Sequence, residues 1–130
     1  MILLDANSMI ALMVDGRTDE ANSVLNALRE AGESGEEVIV TESVLVEVCW
    51  VMERSYRVLR QEVAQQATDM LSAPPVRAWN PQLAEDALHL MREIPALSLT
   101  DSLLVCRAQR DDAAVLTFDR GLRGALEGRG

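Results

Sequence analysis

Met1-Ile2-Leu3-Leu4-Asp5 opens the chain as a short apolar run that ends in an acid. A run of this length suits a buried strand. Directly after it, residues 6–14 carry apolar side chains at 9, 10, 12, 13 and 14, which suits a helix. Strand followed by helix is the unit that the rest of the chain repeats. Residues 18–31 place apolar side chains at 21, 24, 25 and 28, the spacing of an amphipathic helix. Residues 32–37 hold two glycines and read as a loop. Val38-Ile39-Val40 reads as a second strand, with Thr41 as the N-cap of a helix reaching about Ser55.

Another helix is expected over residues 59–71, broken by Pro74-Pro75. Residues 76–79 read as a weak third strand. Pro81 begins the next helix, where its missing N–H costs nothing, and that helix ends near Ile94-Pro95. Thr100 or Asp101 is expected to cap a helix through Gln109. Residues 113–118, Ala-Ala-Val-Leu-Thr-Phe, read as a clear buried strand, and a last short helix follows. Strands alternating with helices imply an α/β fold of three layers, a short parallel sheet flanked by helices. The length fits a single domain over residues 1–130. Ligands of such sheets bind beyond the carboxyl ends of the strands.

The composition narrows the function classes. With 48% hydrophobic residues the chain can build a real core. No stretch approaches the roughly 20 apolar residues of a bilayer span. The first residues lack a basic region and a small-residue cleavage site, so a cytoplasmic protein without membrane association is expected. Cys49 and Cys106 lie in apolar helical patterns and read as buried thiols. His89 is the only histidine, which excludes a histidine-based metal site or triad. The net charge is −9 and every one of the 12 basic residues is Arg. That excludes a broad basic surface gripping long nucleic acid. It leaves open a nuclease whose site recruits cations.

Four carboxylates stand out. Asp5 is placed at the end of the first strand and Asp119 at the end of the last, which would put both on one edge of a parallel sheet. Asp101 opens a helix that can face the same edge. Each of the three also sits where an N-cap is favoured, so capping is an equal reading of each. Glu47 lies in the apolar run Val44-Leu45-Val46-Glu47-Val48-Cys49-Trp50-Val51-Met52 with no cation one turn away. It borders the stripe of Val44, Val48, Val51 and Met52, so partial desolvation and a partner are expected. Glu53, by contrast, has Arg57 four residues on and reads as a solvated pair. Two carboxylates ~5 Å apart repel by about 3 kcal/mol at an effective dielectric near 20. Four converging acids therefore call for protonation of some or for a cation among them. An all-oxygen set suits Mg²⁺ or Mn²⁺, which promotes phosphodiester hydrolysis by acidifying water and neutralising phosphate.

These segments resemble the motifs of PIN domains. Asp5-Ala6-Asn7-Ser8 resembles their opening motif, and Glu47 in its apolar helix resembles their helical Glu. Thr100-Asp101-Ser102-Leu103-Leu104 resembles the third acidic motif. Leu116-Thr117-Phe118-Asp119-Arg120-Gly121-Leu122 resembles the C-terminal one. Leu99-Thr100 stands where many relatives carry an aromatic, and Ser102 replaces a frequent Ala. The resemblance implies a metal-dependent endoribonuclease with Asp5, Glu47, Asp101 and Asp119 as catalytic, metal-binding acids. Asn7, Ser8 and Thr117 would support them. The compact form resembles the VapC toxin of toxin–antitoxin pairs, which implies an RNA substrate, attack by a metal-activated water, a homodimer and a cognate antitoxin.

Arg120 and Arg123 are candidate phosphate contacts, although solvated arginines on a terminal helix read as well. Trp50, Tyr56, Trp79 and Phe118 are the only aromatics, which offers little for base stacking. Phosphohydrolases with an aspartyl-phosphate intermediate, and receiver domains, usually place a Lys beside their acids, and this chain has none. An inactive PIN-like binding module and a housekeeping RNA-processing nuclease remain as alternatives.

Overall fold

The computed structural model describes residues 1–129. Three strands and seven helices follow in the order β1 (Ile2–Leu3), α1 (Ala6–Met13), α2 (Thr18–Ser34), β2 (Val38–Val40), α3 (Glu42–Arg54), α4 (Arg60–Leu71), β3 (Val76–Ala78), α5 (Pro81–Glu93), α6 (Leu99–Asp111) and α7 (Arg120–Arg129). The sheet is parallel throughout, in the order β1-β2-β3. Each step between neighbouring strands is made by two helices, because parallel strands need long crossovers. The result is a mostly helical α/β fold, as the alternating pattern implies.

Burial explains the order of the strands. Val38, Ile39 and Val40 are all buried, as suits a central strand covered on both faces. β1 is an edge strand, with Ile2 and Leu3 partly exposed. Val38, Val40, Val76 and Ala78 share one core with Met9, Leu45, Met52, Leu88, Met91 and Leu97.

Several boundaries differ from the sequence reading for identifiable reasons. α2 runs on to Ser34 because Gly35 adopts the left-handed C-cap conformation, φ 75°, and Glu36 N–H closes on Ala31 C=O at 2.9 Å. Thr41 holds the N-cap position of α3, but its hydroxyl pairs with Ser43 Oγ rather than with the helix. Ser98, not Thr100 or Asp101, caps α6, accepting the Asp101 N–H at 3.2 Å. Asn80 caps α5, with Pro81 at its first position.

The main correction concerns residues 113–118, which form no strand. Asp112 ends α6 in a left-handed conformation, φ 51°. The segment then runs outside the sheet, with Leu116 96% and Phe118 91% exposed. Its polar groups are taken up locally. Thr117 Oγ1 accepts the Asp119 N–H at 3.0 Å, and Thr117 C=O accepts Arg123 Nε at 3.1 Å. Such local bonds compete with a strand ladder.

Candidate active site

Asp5 lies two residues past β1 and is the N-cap of α1. Its Oδ1 accepts the Ser8 N–H at 2.8 Å. The backbone bond from Ser8, followed by a bond from the Ser8 hydroxyl, holds the Asp5 carboxyl below its ordinary value, against a small opposing effect of burial. Asn7, on the first turn of α1, is exposed.

Glu47 lies on α3, the helix that leaves the carboxyl end of β2. α1 and α3 pack on one another, so Asp5 and Glu47 belong to neighbouring helices. Glu47 is exposed. The expected partial desolvation is absent because the buried stripe of α3 is Leu45, Val48, Cys49 and Met52, which turns residue 47 outward. Glu53 also departs from expectation. It pairs with Arg60 at 2.6 Å rather than with Arg57, whose backbone is left-handed at φ 55°. Arg60 Nη1 also donates to Pro95 C=O at 2.6 Å, which ties α3 and α4 to the loop entering α6.

Asp101 occupies the first turn of α6 and is half-exposed. Arg107, further along the same helix, reaches Glu42 at the start of α3 at 3.8 Å. Asp119 precedes α7, and its Oδ1 accepts the Leu122 N–H at 2.9 Å, so it closes the first turn of that helix. It does not end a strand, and the expected alignment with Asp5 on one sheet edge is therefore not formed. A side chain at Gly121 would come within 3.2 Å of Asp119 Oδ1 and 3.9 Å of Ala96 Cβ. Gly121, two residues past Asp119, thus sits against the loop that leads into α6 and Asp101. Arg120 and Arg123 are exposed on α7, and Arg123 spends its Nε on Thr117.

The acids therefore lie at the start of α1, on α3, on the first turn of α6 and just before α7; α3 packs against both α1 and α6, and α6 against α7. None of the four forms an ion pair among the described residues, although 12 arginines are present and seven ion pairs form elsewhere. Their donor chemistry suits a hard divalent cation. Among the described residues, no three Asp, Glu, His or Cys side chains stand together as a group that could hold a metal. No helix among them is long and apolar enough to cross a membrane.

The reading of the aromatics missed their exposure, since Trp50, Tyr56, Trp79 and Phe118 all face solvent. Trp50 is 58% exposed on α3, one turn from Glu47. An apolar run gives no signal that a Trp within it faces water.

Comparison with known proteins agrees with the motifs. The PIN domain family model matches residues 2–125. No curated protein and no solved structure matches the chain. PIN domains are typically nucleases that use divalent metal ions. With nearly the whole chain matched, the protein belongs to the PIN domain family.

Proposed function

We propose that this single-domain chain, residues 1–130, is a cytoplasmic endoribonuclease and the toxin of a VapC-like toxin–antitoxin pair. Asp5, Glu47, Asp101 and Asp119 are its catalytic and metal-binding acids, and Mg²⁺ or Mn²⁺ is its cofactor. One observation carries the reading: the PIN domain family model runs over residues 2–125, and these four acids stand along it in the order of that family's acidic motifs.

Asn7, Ser8 and Thr117 are supporting residues, since Ser8 orients Asp5 and Thr117 fixes the backbone of Asp119. Arg120 and Arg123 are the nearest cations to Asp119 in sequence and are proposed phosphate contacts. The charge of −9 suits an antitoxin with a basic segment. A largely apolar groove of about 730 Å³ between α1, α2 and the end of α4, lined by Leu25, Leu28 and Met70, suits its apolar face. A homodimer completes the proposed assembly.

One alternative is a PIN module that binds a partner without cutting. Cleavage of total cellular RNA decides between them. The purified protein is incubated with Mg²⁺, with Mn²⁺ and with EDTA, beside an Asp5→Asn, Asp101→Asn control. Discrete metal-dependent fragments absent from the control support the nuclease. Folded protein that leaves RNA intact with either metal establishes the binding module. Toxicity on expression, relieved by a neighbouring gene, separates a toxin from a housekeeping RNA-processing nuclease.

A further inference from the structure

Ser43, Glu47, Trp50 and Arg54 follow one another on α3 at spacings of four, three and four residues, so they line one face of the helix. All four are exposed. The buried residues of α3 are Leu45, Val48, Cys49 and Met52, so this stripe is its solvent face. Trp50 is the one large apolar side chain on that face. The residues one turn away from it along α3 are Val46, which is half-buried, and the charged Glu47, Glu53 and Arg54. An obligate protein interface of ordinary size has a contiguous apolar centre, and on α3 this ring has charged flanks instead.

The guanidinium of Arg54 lies 5.4 Å from the centroid of the Trp50 ring. Arg54 has no carboxylate partner among the described residues, while its neighbour Glu53 is already held by Arg60. Its donors therefore remain available, and planar donors of this kind match a phosphate. Trp50 follows Glu47 by roughly 4.5 Å of helix rise. A ring and a free guanidinium thus stand one turn from a proposed catalytic acid, on a chain whose net charge otherwise repels polyanions.

We propose that Trp50 and Arg54 form a nucleotide platform: the open face of the ring stacks a base of single-stranded RNA, and the guanidinium holds a phosphate of the same strand beside Glu47. Stacking of this type tolerates any base, because every base has a π face. The platform positions the strand and leaves base identity to other contacts. It rests on the ribonuclease reading and identifies the substrate as unpaired RNA at the point of cutting.

The test uses the full chain carrying Asp5→Asn, to stop turnover, and Trp79→Phe, so that Trp50 is the only indole. The probe is a short unstructured oligoribonucleotide of mixed sequence. The expected results are quenching of Trp50 fluorescence on binding and a roughly tenfold loss of affinity in Trp50→Leu. Trp50→Phe should recover most of that loss. Arg54→Gln should weaken binding and lower the salt slope by about 0.7, the value for one phosphate on a single strand. Unchanged affinity in Trp50→Leu, with wild-type RNA cleavage demonstrated, overturns this inference and leaves the nuclease standing. Conversion of a dimer to a monomer by Trp50→Leu, seen by sedimentation, also overturns it, because the face then covers a second copy. Wild-type protein that neither cuts nor binds RNA overturns both.

Discussion

Asp5 Oδ1 and the Ser8 N–H meet at 2.8 Å, so one carboxylate both caps α1 and stands at the proposed reaction site. The two roles separate by substitution. Asn caps a helix about as well as Asp, whereas Ala costs about 1 kcal/mol. Asp5→Asn is expected to unfold within a few tenths of a kcal/mol of wild type and Asp5→Ala about 1 kcal/mol lower, measured in urea. RNA cleavage should fall in both by more than about tenfold, the smaller effect typical of losing an outer-shell partner of a metal. Full activity in Asp5→Asn would remove Asp5 from the proposed acids.

The same bond sets a pH dependence. The Asp5 carboxyl is held below its ordinary value of 3.8, chiefly by the Ser8 backbone N–H. A depressed carboxylate stabilises the fold fully above the unfolded value and loses that stabilisation as pH falls through the lower folded value. Urea midpoints of wild type and Asp5→Asn should therefore draw together, or cross in favour of Asn, as pH falls from about 5 through the unfolded value towards the lower folded one. Parallel midpoint curves over that window would show that the ionised cap contributes nothing.

Cys49 is 2% exposed, and burial, followed by the nearby charge of Glu53, pushes its thiol up to about 12, against the opposing effect of Arg60. Cys106 is also 2% exposed. A thiolate-selective reagent at pH 8 should label neither cysteine in the native protein and both in guanidinium. Labelling of Cys49 without unfolding would show that the contact between α3 and α4 opens readily.

Leu116 and Phe118 are almost wholly in solvent. Exposed substitutions usually change stability by no more than about 0.5 kcal/mol. The double variant Leu116→Ser, Phe118→Ser is expected to stay within about 1 kcal/mol of wild type by thermal denaturation. A loss several times larger would show both side chains packed against the protein in solution.

The helices were legible because their apolar residues recur every three or four positions, and β2 because three consecutive β-branched residues need two covered faces. Residues 113–118 misled for a physical reason. An apolar run signals a preference for burial, yet it carries no information about which edge receives it. Here Thr117 and Arg123 satisfy the backbone without a neighbouring strand. Asp5, Asp101 and Asp119 were legible as residues at helix starts, and Glu47 as a residue inside a helix. The placement of Asp119 was not, because it depends on where residues 113–118 lie relative to the sheet. Glu47 was misjudged since a helical projection fixes relative angles only, and the tertiary contacts of Leu45 and Val48 decide which side is inward.

β1 has one covered side and one open side, and a groove of about 390 Å³ runs beside it between Ile2, Leu3 and the α2 residues Val24 and Ala27. An uncovered edge of this kind is a template for any extended chain, and most proteins blunt it with charge, proline or a bulge. Ile2-Leu3-Leu4 carries none of these. The same molecule leaves Leu116 and Phe118 in water, in an uncharged segment outside the sheet. An open strand edge and exposed apolar side chains are therefore both present on every copy. Crowded solutions of this protein should self-associate, and the concentration at which the protein is stored becomes a determinant of how much of it stays monomeric.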